Sequence, residues 1–186
     1  MTDNFSPFEI PEVTDREILF NDFGQLRRDR LRLPNQENYD YYTFVTAQTA
    51  VTIIAQCPDG RFIINHEYRH PTEKILLSLP GGLLDKGETV EAAASRELLE
   101  ETGYAGENIK VLGEAYPLPG VSTTKIVYVS IENCKKVQNP QLEPAELLVT
   151  TLFDEKALMD KVREGVPVDS TLCAGLWYWQ LNNNNS

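Results

Sequence analysis

Three glutamates close to the end of one helical stretch, Glu97, Glu100 and Glu101, are the residues here whose type and spacing can do chemistry. The stretch runs over Val90–Thr102, with Thr89 placed as an N-cap, Glu91 in the first turn and Gly103 placed to end it. At about 100° per residue, Glu100 lies roughly 60° to one side of Glu97 and Glu101 roughly 40° to the other. The three carboxylates therefore share a face. Like charges at these spacings cost about 0.2–0.5 kcal/mol each, and the C-terminal end of a helix disfavours anions by roughly 0.3–1 kcal/mol each. On the helix itself only Arg96, four residues before Glu100, offers an offsetting cation. The plain alternative is a solvated acidic face, which would carry these penalties without return. A divalent cation would reverse them, because clustered hard oxygens suit Mg²⁺ or Mn²⁺.

The elements that must position this helix read as a strand-rich domain. Residues 49–55 (TAVTIIA) form a buried strand, Pro58-Asp59-Gly60 a turn, and 61–64 the start of a return strand. Residues 74–79 make a short strand that Pro80-Gly81-Gly82 stops. Further strands are expected over 109–116, 125–131 and 147–152, with helices over 154–164 and 170–181. Ahead of these, 1–15 reads as a loose leader with Pro7 and Pro11, and 17–45 as short strands. The Asn182–Asn185 run with Ser186 reads as a polar tail. Strands with few, separated helices point to a mixed sheet with helices packed on it.

Composition limits the function classes. The chain has 186 residues and a net charge of -11, from 17 Lys+Arg against 28 Asp+Glu. That balance argues against general nucleic-acid binding and requires local cations for any anionic substrate. No apolar run reaches the ~20 residues of a membrane span, and the start lacks the pattern of an export signal. Cys57, Cys134 and Cys173 are too far apart for a zinc knuckle and odd in number, which fits a reducing cytoplasm.

From Gly82 to Tyr104 the chain reads GLLDKGETVEAAASRELLEETGY. Gly82, Glu88, Arg96, Glu97, Glu100, Glu101 and Gly103 stand at the spacing of the Nudix box, with Leu98 at its apolar position. The chain thus resembles a Nudix hydrolase. The resemblance implies an α/β/α sandwich, in the α+β or α/β class, that cleaves the diphosphate of a nucleoside diphosphate linked to another group. It implies Glu97 and Glu101 as the main metal ligands, Glu100 as a further ligand or water-orienting group, and the Gly81 carbonyl as an additional ligand. Glu88 and Arg96 look like the box's structural ion pair. The cofactor implied is Mg²⁺, with Mn²⁺ as a substitute.

Outside the box the chain is similar to the ADP-ribose and ADP-sugar pyrophosphatases. Glu67-Tyr68-Arg69 stands where these carry a Gln-Tyr-Arg-like triplet, and Leu79-Pro80-Gly81-Gly82 resembles their Leu-Pro-Ala-Gly. Pro119 lies about where they carry a substrate-side proline. Arg69 and Pro119 are accordingly expected at the substrate, and Glu143 or Glu146 is expected as the catalytic base. Residues 1–46 would be a leader and small β unit that frames the base and pairs two subunits, with 47–186 the hydrolase domain. The implied partner is a small nucleotide-sugar substrate, in a cytoplasmic homodimer that binds neither nucleic acid nor membrane. Hydrolysis of nucleoside triphosphates or dinucleotides is the alternative within the class, and a nucleotide-sugar sensor that does not cut is the alternative outside it. Arg28, Arg30 and Arg32 share a strand face that is either solvated or turned to phosphates or an acidic subunit.

Overall fold

The computed structural model describes residues 8–22, 24–46 and 48–183. The first strands are β1 (Glu12–Asn21), β2 (Gln25–Arg32), β3 (Asn38–Val45), β4 (Ala50–Ala55), β5 (Phe62–Arg69) and β6 (Lys74–Ser78). Then come α1 (Val90–Thr102), β7 (Tyr104–Ala115), β8 (Ile126–Lys136), β9 (Leu148–Phe153), α2 (Glu155–Arg163) and α3 (Ser170–Asn183). The chain separates into two compact units. One comprises Met1–Ala47 with Leu118–Thr124, the other Gln48–Pro117 with Lys125–Ser186.

The first unit is an antiparallel sheet in the order β1-β2-β3. Its first strand begins at Glu12, so the loose leader expected through residue 15 ends earlier. Pro7 and the residues before it lie outside the described residues, as do 184–186 of the expected polar tail. Cross-strand ion pairs hold the sheet: Arg28 with Glu17 at 2.7 Å, Arg30 with Asp40 at 2.9 Å and Arg32 with Glu12 at 3.3 Å. The three arginines thus share carboxylates across the sheet, which accounts for their alternation without a phosphate. Leu118–Thr124 joins this unit because β3 binds it. Phe44 N–H donates to the Val121 carbonyl at 2.8 Å, Thr123 N–H to the Phe44 carbonyl at 3.1 Å, and the Tyr41 hydroxyl to the Gly120 carbonyl at 2.6 Å. The loop is far away in sequence but belongs with the N-terminal strands.

The second unit holds two sheets. In the order β4-β8-β7, β4 runs parallel to β8 and β7 antiparallel to it; the order β6-β5-β9 is antiparallel throughout. The Pro58-Asp59-Gly60 turn forms, with Gly60 N–H on the Cys57 carbonyl. The strands it joins do not continue as a hairpin ladder, because β4 and β5 pair in different sheets, with a bridge at Gln56–Phe62 beside the turn. The free edge of β4 instead takes the segment after β6. Val51 N–H donates to the Gly82 carbonyl and Ile53 N–H to the Pro80 carbonyl, each at 2.8 Å.

Alternation along the strands builds two cores. Val51, Ile53 and Ala55 pack with Ile63, Val129 and Ile131 against Ala93, Ala94 and Leu98 of α1. The intervening Ile54 packs with Phe62, Ile64, Leu77 and Tyr128 against Leu158 of α2 and Leu172 and Leu176 of α3. Helices thus cover both faces, as the α/β/α expectation requires. Burying each of these Leu or Ile side chains contributes roughly 1.5–3 kcal/mol. Cys57 and Cys134 are buried, whereas Cys173 is exposed on α3. No helix among the described residues is long and apolar enough to cross a membrane.

Candidate functional site

The acidic helix forms over the bounds that its caps dictate. The Thr89 hydroxyl accepts the Ala92 N–H at 3.2 Å, and Gly103, at φ 74°, closes the end by donating to the Leu99 carbonyl. Burial of Ala93, Ala94 and Leu98 fixes its rotation. That rotation carries Glu97 and Glu101, 8% and 5% exposed, to the wall of a cavity of about 840 Å³ within the second unit. Glu100, beside them, is less buried.

Opposite the helix, β5 supplies Asn65, Glu67 and Arg69, alternate residues on one side of a strand. Asn65 and Glu67 are buried. The Glu67 carboxylate accepts the Ser78 hydroxyl at 3.1 Å and pairs with Arg69 Nη1 at 2.8 Å. From the loop before β9, Glu143 and Glu146 also line the cavity, and the Glu143 N–H donates to Glu146 Oε2 at 2.7 Å. Tyr68 and His70 sit at the mouth, joined at 3.3 Å.

The loop between β6 and α1 is held by backbone pairing to β4 and by Arg96. The guanidinium forks onto Glu88, with Nε and Nη2 at 3.0 and 2.9 Å from its two oxygens. Nη2 also reaches the Leu83 carbonyl at 3.1 Å, while Nη1 reaches Glu97 at 2.8 Å and Glu100 at 3.1 Å. The expected Glu88–Arg96 pair is present, and Arg96 serves three carboxylates where the helix alone suggested one. Its hydrogen bond holds the Glu88 carboxyl below its ordinary pKa.

Gly81 is set by close approach of backbone, and Gly82 lies against a side-chain end. Gly81 has φ +156°, and a Cβ there would stand 2.2 Å from the Val51 carbonyl oxygen. At Gly82 a Cβ would stand 2.4 Å from a Glu97 carboxylate oxygen. The resemblance put the Gly81 carbonyl toward a metal; the contact seen is its N–H, which donates to Glu101 Oε2 at 3.0 Å.

The electrostatics are those of a crowded acid cluster. Burial, reinforced by the charges of Glu67, Glu97 and Glu146, pushes the Glu101 carboxyl up to about 8 despite the Gly81 amide. Burial likewise raises Glu97 and Glu67 above the usual carboxylate range, with Arg96 and Arg69 opposing it in part. Among the described residues, no three His, Cys, Asp or Glu side chains converge into a ready-made metal cage. The donor chemistry nonetheless fits a hard divalent cation. Glu97 and Glu101 are buried oxygen donors one turn apart, and Glu101 is bonded to two neutral donors, the Gly81 N–H and the Asn65 amide.

Of the residues read from the sequence, Glu88, Arg96, Glu97, Glu100, Glu101, Gly81, Arg69, Glu143 and Glu146 come together in the second unit. Pro119 does not belong to that unit; it lies in the Leu118–Thr124 loop of the first. Sequence reading missed Asn65, and it took Glu67 as part of a triplet without giving it a role. The available signal was polar residues at alternate positions of an otherwise apolar strand.

Comparison with known proteins bears on the family and the fold. A profile of the NUDIX domain matches residues 46–171. A Bacillus methanolicus protein named methanol dehydrogenase activator is 30% identical over 177 residues, 94% of each chain. A Bacillus subtilis ADP-ribose pyrophosphatase is 38% identical over 116 residues, 60% of this chain and 62% of its own. A crystal structure described as an ADP compounds hydrolase superposes with a TM-score of 0.83 at 22% identity, covering 97% of this chain and 100% of that one. It shares the fold.

Proposed function

The chain belongs to the Nudix hydrolase family, and from that premise we propose that it hydrolyses the diphosphate of ADP-ribose or a related nucleoside diphosphate sugar. The products are a nucleoside monophosphate and a sugar phosphate, and the working metal is Mg²⁺. The observation that carries this reading is the buried pair Glu97 and Glu101, facing Glu67 across one cavity. A divalent cation held by such a cluster would offset the mutual repulsion of its buried carboxylates. The name of the Bacillus subtilis relative supports the substrate class.

Glu97 and Glu101 would hold the metal, with Glu100 and the Gly81 backbone beside them. When bound, the ion neutralises the diphosphate and acidifies water at phosphorus. Arg69 gives one guanidinium nitrogen to Glu67 and would keep its remaining donors for substrate phosphate. Glu146 is the better placed base. Its charge is felt at Glu67, Glu97 and Glu101, and the Glu143 amide fixes its carboxylate. Replacing Glu146 by Gln is expected to lower kcat about 10²–10⁴-fold. Glu143→Gln keeps the backbone donor and should stay within about tenfold of the parent. Single-turnover rates of the two variants decide between them.

Exposure along the whole of β1, including Val13, Ile18 and Leu19, supports pairing of two copies. Light scattering at twice the monomer mass would bear that out, and a monomer would refute it.

The direct test is phosphomonoester release from ADP-ribose, ADP-glucose, GDP-mannose, UDP-glucose, a dinucleotide and several nucleoside triphosphates, with Mg²⁺ and with EDTA. Metal-dependent cleavage of a diphosphate sugar is expected. Cleavage of triphosphates or dinucleotides alone would sink the sugar reading, and tight binding without cleavage would make the protein a sensor.

A further inference from the structure

We infer that Asn65, held by Thr150, is a positioning residue that presents one chosen oxygen of Glu101 to the metal. The inference rests on the reading of Glu101 as a metal ligand. Asn65 lies within β5, between Ile64 and His66, and is 1% exposed. An amide so placed is costly unless its groups are bonded. Its Oδ1 accepts the Thr150 hydroxyl at 2.9 Å, and its Nδ2 donates to Glu101 Oε2 at 3.0 Å. The β5–β9 register sets Asn65 and Thr150 directly opposite each other, so the contact follows from strand pairing.

Against an ionised Glu101, the form that ligates a metal, the amide has one good orientation. Flipped, it would turn Oδ1 onto a carboxylate, acceptor against acceptor; with the hydroxyl donating to Oδ1, Nδ2 must face Glu101. The Gly81 N–H lands on the same oxygen, Oε2, at 3.0 Å. Two donors from different elements thus fix the carboxylate plane and occupy one oxygen. Oε1 is left to coordinate. Groups that orient a ligand in this way usually change metal affinity by 10–100-fold.

The experiment titrates Mn²⁺ alone into the full chain, without substrate, and follows free Mn²⁺ by electron paramagnetic resonance. Asn65→Leu removes the donor without adding charge and is expected to weaken binding about 10–100-fold. Thr150→Val, which frees the amide to flip, should weaken it by a smaller factor, and Thr150→Ser, which keeps the hydroxyl, should bind like the parent. The Asn65→Leu/Thr150→Val double variant should bind no more weakly than Asn65→Leu alone, because the two act in series. A purely structural amide would alter melting in EDTA and leave Mn²⁺ affinity unchanged, and that result overturns the inference. Should Asn65→Leu fail to fold, the Thr150 pair carries the decision. Glu101→Gln separates the two levels. If it binds Mn²⁺ like the parent, the metal reading itself falls. If it loses Mn²⁺ while Asn65→Leu and Thr150→Val do not, only the positioning role falls.

Discussion

Glu101→Gln is expected to lower metal-dependent turnover about a thousandfold or more, several kcal/mol of transition-state stabilisation, while making the metal-free protein more stable at pH 8. The two effects have one origin. Glu101 is 5% exposed, and burial raises its pKa to about 8, against about 4.3 in an unfolded chain. Below about pH 4 both states hold the proton, and the group's favourable contribution is complete. Between these values the folded state binds a proton that the unfolded state has released, so stability falls as pH rises, and the contribution is lost by about pH 8. The full loss is on the order of a few kcal/mol. Glutamine does not ionise, and its carbonyl oxygen can still accept from Gly81 N–H and Asn65. In EDTA the variant should therefore show a shallower slope than the parent between pH 5 and 8 in urea denaturation, the remainder coming from Glu97 and Glu67. Added Mg²⁺ should stabilise the parent and not the variant. Unchanged turnover, or a variant unfolded at every pH, would refute the assignment.

The second large effect is expected at Arg96. Removing it by Arg96→Ala should cost about 2–4 kcal/mol in urea denaturation, because Glu88, Glu97 and Glu100 lose the guanidinium that all three bind. Glu88 and Glu97 are largely shielded from water, so solvent replaces little of what is lost. Arg96→Lys keeps the charge but not the fork. A lysine cannot grip both oxygens of Glu88 and still reach the Leu83 carbonyl and Glu97. It should recover part of the stability while kcat/KM stays about a hundredfold down, since the β6–α1 loop is no longer held in register with the carboxylates. Mg²⁺ should stabilise Arg96→Ala more than the parent, because the cation relieves a repulsion that Arg96 otherwise masks. An Arg96→Ala protein as stable as the parent would show that these contacts are surface pairs of no consequence.

How much of this was legible in the sequence depends on how local the cause is. The acidic helix reads directly because its signals are its own: a cap at Thr89, a terminator at Gly103 and carboxylates at fixed helical spacing. Asp154 before α2 and Asp169 before α3 cap in the same manner, each accepting a backbone N–H of the first turn. What did not read is partnership at long range. Pro58-Asp59-Gly60 suggested a hairpin, yet β4 prefers β8, because a strand buried on both faces pairs with another such strand. β1 carries exposed residues throughout and shows no buried face to betray it, so its first residues passed for a leader. Leu118–Thr124 joins β3 through backbone hydrogen bonds, which no side-chain pattern records. Asn65 fell outside the strand read over 61–64, and Glu67 read only as part of a triplet, because their partners on the helix are distant in sequence. At the site, the box residues were legible and the β5 residues that orient them were not.

Pairing of the Pro80–Gly82 segment with β4 has a consequence for the life of the chain in a crowded solution. β4 is an edge strand made almost wholly of buried apolar residues, the kind of edge that recruits strands from other molecules and seeds aggregates. The segment that carries the site's two glycines occupies the amides of Val51 and Ile53 that such a recruit would need. Damage to this loop would uncover a sticky edge as well as disarm the enzyme. Variants selected merely for staying soluble would therefore tend to keep the loop, so the protein's solubility and its chemistry are guarded by the same few residues.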